Sequence, residues 1–452
     1  MKKLLLIYTS VFSAPAFGQT VACGWFHSLT ICDDSTVRAW GRNNYGQLGN
    51  GNLTNSNVPI QLSSLTGVTA IAGGDIHSLA LKNDGTVWAW GYNLYGQLGN
   101  GNNTDSNVPV QVNSLTGITS INGGGLHSLA LKSDSTVWAW GYNFYGQMGS
   151  GNNTDSNVPV QVSSLTGITA IAGGWYHSLA LKNDGTVWTW GWNTFGELGN
   201  GTNSNSNIPV QVTGLTGIIV IAGGGEHSLA LKNDGTVWAW GRNFYGNLGN
   251  GNNTDSNVPV QISSLTGITN IAGGFSHSLA VKNDSTAWAW GKNNNGQLGN
   301  GTTTDSNVPL QAISLIGTTA IAGGYSHSLA LKNDGTAWAW GNNLVGQLGN
   351  GTNNNSNVPV QIIGLCSVLA VNEITEEATV TVYPNPSNGS LTLTLSKGEG
   401  IVEVYNMMGE LVFSCKLHTT HYELDLRSKS KGIYFIKVIA DDKVYSQKVV
   451  IE

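Results

Sequence analysis

Residues 68–91 read VTAIAGGDIHSLALKNDGTVWAWG, and this stretch decides the fold. Val68–Ala72 is a short β-prone run that stops at Gly73-Gly74. His77–Lys82 is a second run, and Asn83-Asp84-Gly85 is the signature of a tight hairpin turn. Thr86–Trp90 follows as a third strand, with Trp88 and Trp90 on one side and Val87 and Ala89 on the other. Downstream lies a Gly/Asn-rich loop, 91–107, and then Val108–Val112, whose Pro109 marks an outer edge. No helical period appears, so the unit is four short strands.

The unit recurs. His27, His77, His127, His177, His227, His277 and His327 are 50 residues apart, as are Trp40, Trp90, Trp140, Trp190, Trp240, Trp290 and Trp340. Seven four-stranded units are the arithmetic of a seven-bladed β-propeller; a β-solenoid is the alternative, with coils usually shorter than these. The first unit lacks most of its opening strand, so Ser367–Val371, in phase after the seventh unit, is expected to supply it and close the ring. On that register Cys366 falls about two residues from facing Cys32. A Cys32–Cys366 disulfide is one expectation and free thiols the other.

The pieces Gly73-Gly74-x-x-His77-Ser78-Leu79-Ala80-Leu81 and Trp90-Gly91-x-Asn93-x-x-Gly96-Gln97-Leu98-Gly99 resemble the repeat of the regulator of chromosome condensation family, in all seven units. The resemblance implies a propeller. It is also similar to the bacterial β-lactamase-inhibitor propeller, whose family binds its target through loops on one face. The eukaryotic family member is a guanine-nucleotide exchange factor that uses an inserted wedge. Here the units are equal in length and show no wedge.

Both ends look like addresses. Lys2 and Lys3 precede a largely apolar Leu4–Phe17, and Ala16-Phe17-Gly18 offers small residues before a cut at Gln19: residues 1–18 read as a signal peptide, 19–371 as the propeller. From 372 the repeat stops, Trp disappears and charge rises. Seven short runs follow (379–383, 391–395, 401–405, 411–415, 422–426, 433–438 and 444–451), which read as a small Ig-like β-sandwich. Tyr383-Pro384-Asn385-Pro386 with Gly389, Val404-Tyr405-Asn406 with Gly409, Gly432-Ile433-Tyr434 and the ending Lys448-Val449-Val450 resemble the type A sorting domain of type IX secretion substrates. That resemblance implies contact with the type IX machinery, passage through periplasm and outer membrane, removal of the domain on export, and surface display or release. An ordinary adhesive Ig-like module is the alternative. No segment is long and apolar enough to span a membrane.

Of the 20 Lys+Arg and 26 Asp+Glu, 12 and 15 fall in residues 1–371, a density too low and too acidic for a nucleic-acid footprint. The four cysteines match no zinc spacing. A histidine once per blade suits structural hydrogen bonding better than metal binding, because seven such residues do not converge on one ion. The Asp-Gly and Asp-Ser pairs read as turns. The Asn-Asn-Thr-Asp-Ser-Asn loops lack the carboxylate density of a calcium loop. No cofactor and no catalytic set is expected.

Function should lie where the repeats differ. One variable slot is the pair before each His, which includes Trp25-Phe26, Trp175-Tyr176, Phe275 and Tyr325. The other is the loop after the third strand, with Arg42, Tyr45, Tyr92, Tyr95, Tyr142, Phe144, Tyr145, Trp192, Phe195, Arg242, Phe244 and Tyr245. In an antiparallel four-stranded blade the first and third connections share one face, so both slots should meet there. Aromatic and Arg side chains dominate interface hot spots. The sequence thus predicts a secreted or surface-displayed, non-enzymatic binding propeller for an extracellular protein or glycan. Exchange-factor-like activity and lectin-like sugar binding are the alternatives. The Tyr45, Tyr95 and Tyr145 position could equally pack beneath its own loop.

Overall fold

A computed structural model describes residues 20–366, 380–395, 400–440 and 443–452. The chain forms two compact units, Met1–Cys366 and Ser367–Glu452.

The first unit is all β: seven four-stranded antiparallel sheets, each with its strands in chain order. In the second blade these are Val68–Gly73, His77–Lys82, Val87–Gly91 and Ser106–Gln111, innermost to outermost. The hairpin between the second and third strands turns as its sequence requires. Gly85 adopts φ +77°, and the Asp84 carboxylate accepts from both the Thr86 N–H and hydroxyl. Where the repeat has serine instead, Ser35, Ser135 and Ser285 hold the same left-handed conformation (φ 61–64°), one that disfavours a side chain.

Blades adhere by one recurring contact. The third-strand tryptophan, such as Trp190, is fully buried among Leu129, Val137, Ala139 and Met148 of the blade before it. About 200 Å² of burial per indole stabilises each interface by roughly 5 kcal/mol before entropy is counted. The indole N–H donates to the Gln147 carbonyl of that preceding blade (2.8 Å), which also accepts the Ser178 hydroxyl (2.8 Å).

The seventh-to-first interface repeats this pattern: Trp40 donates to the Gln347 carbonyl and packs on Leu329, Ala339 and Leu348. The first blade's opening strand is Thr20–Cys23, paired in register from Thr20↔Ile31 to Cys23↔Ser28. This corrects the expectation that the chain after the last unit supplies it. Four residues at the chain start suffice because the inner strand is short. The segment 367–371 lies outside the described residues. The ring therefore closes by side-chain packing between complete blades, with a covalent link across the seam. Past the last outer strand, Leu365 is buried at that seam, and Cys366 is disulfide-bonded to Cys32 with Cα atoms 5.6 Å apart. Arg38 stands where other blades have tryptophan. Its guanidinium reaches the Gly364 carbonyl (3.4 Å) and Gln61 Oε1 (3.4 Å), so the charge serves the seam.

The second unit has a three-stranded sheet (Val380–Tyr383, Ser390–Leu395, His421–Asp425) and a four-stranded one (Leu411–Leu417, Gly400–Asn406, Gly432–Ala440, Lys443–Ile451, in that spatial order). Val382, Leu391, Leu393 and Leu424 from one sheet meet Val402, Val404, Ile436 and Val449 from the other in a single core. Seven strands around one core make a small β-sandwich.

Candidate binding face

The residue before each His-containing pair's second member points at the propeller axis. Backbone hydrogen bonds run from blade to blade around this point: Trp25 N to Asp75 O (3.2 Å), Asp75 N to Gly125 O (2.9 Å), onward through Trp175 and Gly225 to Phe275, whose N–H donates to Gly324 O (3.0 Å), and from Tyr325 N to Trp25 O (3.2 Å). Inside this ring four aromatics meet. Trp25 lies 5.5 Å from Trp175, 5.5 Å from Phe275 and 4.9 Å from Tyr325 between ring centroids, and Trp175 lies 5.0 Å from Phe275. They form a plug across the axis. Seven large side chains do not fit there, which explains the small residues between them. A Cβ at Gly125 would stand 2.3 Å from Trp175 Cδ1, and one at Gly225 2.4 Å from Phe275 Cδ2. Part of the variation in this slot is thus a packing solution.

The second member of each pair faces outward into the loops. Phe26 lies under the Arg42 guanidinium (5.7 Å), and Tyr176 contacts Tyr142 (5.6 Å) and Tyr145 (5.1 Å). Glu226 pairs with Arg242. The two variable slots therefore share one face.

Around the plug runs a belt in which one loop position packs on the next blade's loop. The pairs are Tyr45 with Tyr92 (5.0 Å), Tyr95 with Tyr142 (4.7 Å), Tyr145 with Trp192 (6.0 Å), Phe195 with Arg242 (4.6 Å) and Tyr245 with Lys292 (4.6 Å). These side chains are half-buried. The Tyr45-type residues thus pack across blades rather than beneath their own loops. Burial first, then the neighbouring phenols for Tyr92 and Tyr142 and the Asp75 carboxyl for Tyr176, push these hydroxyls above their ordinary range.

The most exposed position of each loop stands above the belt: Leu94 (54% exposed), Phe144 (64%), Phe244 (63%) and Leu344 (70%). Their backbones are tied down, for example by Asn103 Nδ2 donating to Leu94 O (2.8 Å) and Asn153 Nδ2 to Phe144 O (2.9 Å). Sequence reasoning selected Phe144 and Phe244 but not Leu94 and Leu344, although all four hold the same place in the repeat. The half-buried Trp25, Phe26, Trp175, Tyr176, Phe275 and Tyr325 divide their surfaces between internal packing and solvent.

The constant residues have structural tasks. His77 Nε2 meets Ser128 Oγ (3.0 Å), and the contact recurs around the ring to His327 with Ser28 (3.1 Å). The serine hydroxyl proton goes to a carbonyl, so Nε2 carries the imidazole proton and donates. All seven histidines are fully buried, and burial lowers them to a pKa of about 3, or about 4 for His227. They are neutral links between blades. In the long loop, Asn93 Nδ2 donates to the carbonyls of Asn102 (3.0 Å) and Thr104 (3.0 Å), while Asp105 accepts the Asn93 N–H (2.7 Å). These loop oxygens thus accept from Asn93.

In the sandwich, Asn385 clamps the last strand: its Nδ2 donates to Lys448 O (2.8 Å) and its Oδ1 accepts from Val450 N (2.9 Å). The flanking Tyr383-Pro384 and Asn385-Pro386 peptides are cis. Gly389, Gly409 and Gly432 hold positive φ. Tyr434 donates its hydroxyl to Ser430 O (2.7 Å), and Lys448 is exposed.

Comparison with known proteins agrees with this architecture. The RCC1-like domain matches residues 15–267, and regulator of chromosome condensation (RCC1) repeats match 284–331 and 334–375. A secretion system C-terminal sorting domain matches 381–452. Among curated proteins, the chain is 40% identical over 45 residues to the RCC1 domain-containing protein RUG3, mitochondrial, of Arabidopsis thaliana, covering 10% of each. It is 42% identical over 53 residues to the human E3 ubiquitin-protein ligase HERC2, covering 11% of this chain and 1% of that one. The chain thus spans a tenth or less of these relatives. Human WBSCR16 superposes with a TM-score of 0.67 at 26% identity, over 72% of this chain and 93% of that one. Yeast RCC1 (Prp20), in a crystal structure with Kap60, gives 0.66 at 22%, over 79% and 87%; at that identity the likeness concerns the fold.

Proposed function

The chain belongs to the RCC1-like domain family, and on that premise we propose that its propeller is a non-enzymatic binding module. It engages an extracellular protein through the aromatic face. The sorting domain marks the chain as a secreted or surface protein. The observation carrying the proposal is the crown of Leu94, Phe144, Phe244 and Leu344: large apolar side chains, more than half exposed, on loops held rigid by asparagine hydrogen bonds. Pre-organised apolar anchors lose little entropy on binding. Exchange-factor activity has no inserted element to carry it here, since the blades are of one length. Sugar binding is the second reading. It is favoured by the belt tyrosines, whose rings could stack on a sugar while their hydroxyls, among the described residues, donate to no protein group.

Phe144→Ala with Phe244→Ala is the test, because neither ring supports the plug. The double variant should keep the wild-type melting temperature and lose binding, by at least about tenfold, to the secreted protein captured by the full chain. A glycan array scored with the same pair separates the second reading. Unchanged binding in both assays would remove the face from the proposal.

A further inference from the structure

Beneath the plug the seven innermost strands enclose an axial cavity of about 320 Å³. Its closed end is formed by Trp25, Trp175 and Phe275. Its walls are mostly backbone, from the paired glycines of six blades and Cys23-Gly24 of the first. Four residues before the plug position, Val21, Ile71, Ile221, Ile271 and Ile321 give an aliphatic lining.

Besides the plug rings, three side chains break the ring's regularity and line this cavity. Cys23 stands where the other blades have glycine. Asn122 stands where the other blades have alanine. Asp75 stands in the plug layer and is only 5% exposed. Its Oδ2 accepts from Trp175 Nε1 (3.0 Å), and among the described residues its other oxygen accepts from no protein donor. No Lys, Arg or His lines the cavity. Desolvation pushes the Asp75 carboxyl well above the usual carboxylate range, against the pull of the Trp175 hydrogen bond. Unpaired, Asp75 is thus held as a neutral acid, and a cation entering the well would hold it ionised.

We propose that the axial cavity binds a small alkylammonium group, with Asp75 as its counter-ion, the plug rings as π surfaces above it and the aliphatic lining around its chain. The arrangement matches such a ligand end to end. The charged head meets the carboxylate and the aromatic faces, which attract cations through the ring quadrupole. The alkyl tail meets valine and isoleucine. The volume, at the low end for ligand pockets, limits the guest to a small amine or one lysine side chain. The plug blocks the aromatic face, so the guest enters from the opposite end.

The full chain, labelled with ¹⁵N at tryptophan indoles, tests this by titration with n-butylammonium and with n-butanol, its uncharged counterpart. The Trp175 indole resonance should shift saturably with the amine and not with the alcohol. Asp75→Asn, which keeps an acceptor for Trp175, should weaken the amine by at least about tenfold. Equal responses to amine and alcohol, no saturation, or an unchanged Asp75→Asn titration would overturn the proposal. Should Asp75→Asn fail to fold, the amine–alcohol comparison in the wild type decides alone. A short lysine-containing peptide, titrated in parallel, distinguishes a lysine side chain from a free amine as the source.

Discussion

Glu197 shows how one residue can depart from the repeat at a cost. Five blades place glutamine here, Gln47, Gln97, Gln147, Gln297 and Gln347, and the fifth blade places Asn247. Glu197 is fully buried, and its Oε2 accepts the Phe195 N–H (3.0 Å) as the glutamine oxygens accept theirs. Burial first, then the nearby Glu226 and Asp255 carboxylates, raise it to a pKa of about 8, partly offset by backbone hydrogen bonds. The folded protein therefore holds a neutral acid that the unfolded chain would ionise. Its full stability is present below the ordinary carboxylate pKa and is lost as pH rises toward 8. Glu197→Gln should gain on the order of 2–3 kcal/mol at pH 7 and almost nothing at pH 4. Urea unfolding at the two pH values checks this; an equal gain at both would mean that Glu197 is ionised in the fold.

At the scale of the strand, the second strand of every blade begins with a buried, neutral histidine bonded to the next blade's serine. Each folded-state pKa is depressed, so each contributes stability that is complete above pH 6.5 and drains as pH falls toward 3. At pH 5 every histidine should cost up to about 2 kcal/mol, and the seven act together. Denaturant midpoints measured from pH 7 to pH 5 should fall steeply. A flat profile would show that the imidazoles are charged or exposed. The hairpin turns and the strand order were legible from Asp84-Gly85, Pro109 and the alternation around Trp90, because these are local steric demands. The blade-to-blade partners of Trp90 were not, because no residue within a blade names its neighbour.

For the whole molecule, the seam is the one interface with a covalent link. Cys32 and Cys366 enclose nearly the whole propeller, so their bond removes much of the unfolded chain's freedom, an effect of about 2–5 kcal/mol in ordinary proteins. Exported protein, mass-analysed without reduction, should show Cys32 joined to Cys366 and Cys23 as a free thiol, with Cys415 free wherever the sorting domain is retained. Cys32→Ser with Cys366→Ser should lower the melting temperature yet leave a closed ring, since Trp40 and His327 still bridge the seam. Free thiols at Cys32 and Cys366 in exported wild-type protein would remove the link.

The repeat period by itself determined the number of blades, their four strands and the common face of the variable loops, since spacing and strand parity leave little choice. The motif order did the same for the C-terminal domain. Only the tertiary structure decided what each variable residue does. Trp25, Trp175, Phe275 and Tyr325 became a plug because seven equivalent positions converge on one axis, where Gly125 and Gly225 make room for Trp175 and Phe275. Phe144 and Leu344 stayed in solvent because their loops point away from it. Asp75 came to face a cavity that no single repeat contains. The opening strand was misassigned because unit boundaries in a repeat are a matter of phase, and only pairing between Thr20–Cys23 and His27–Ile31 shows where the first blade begins.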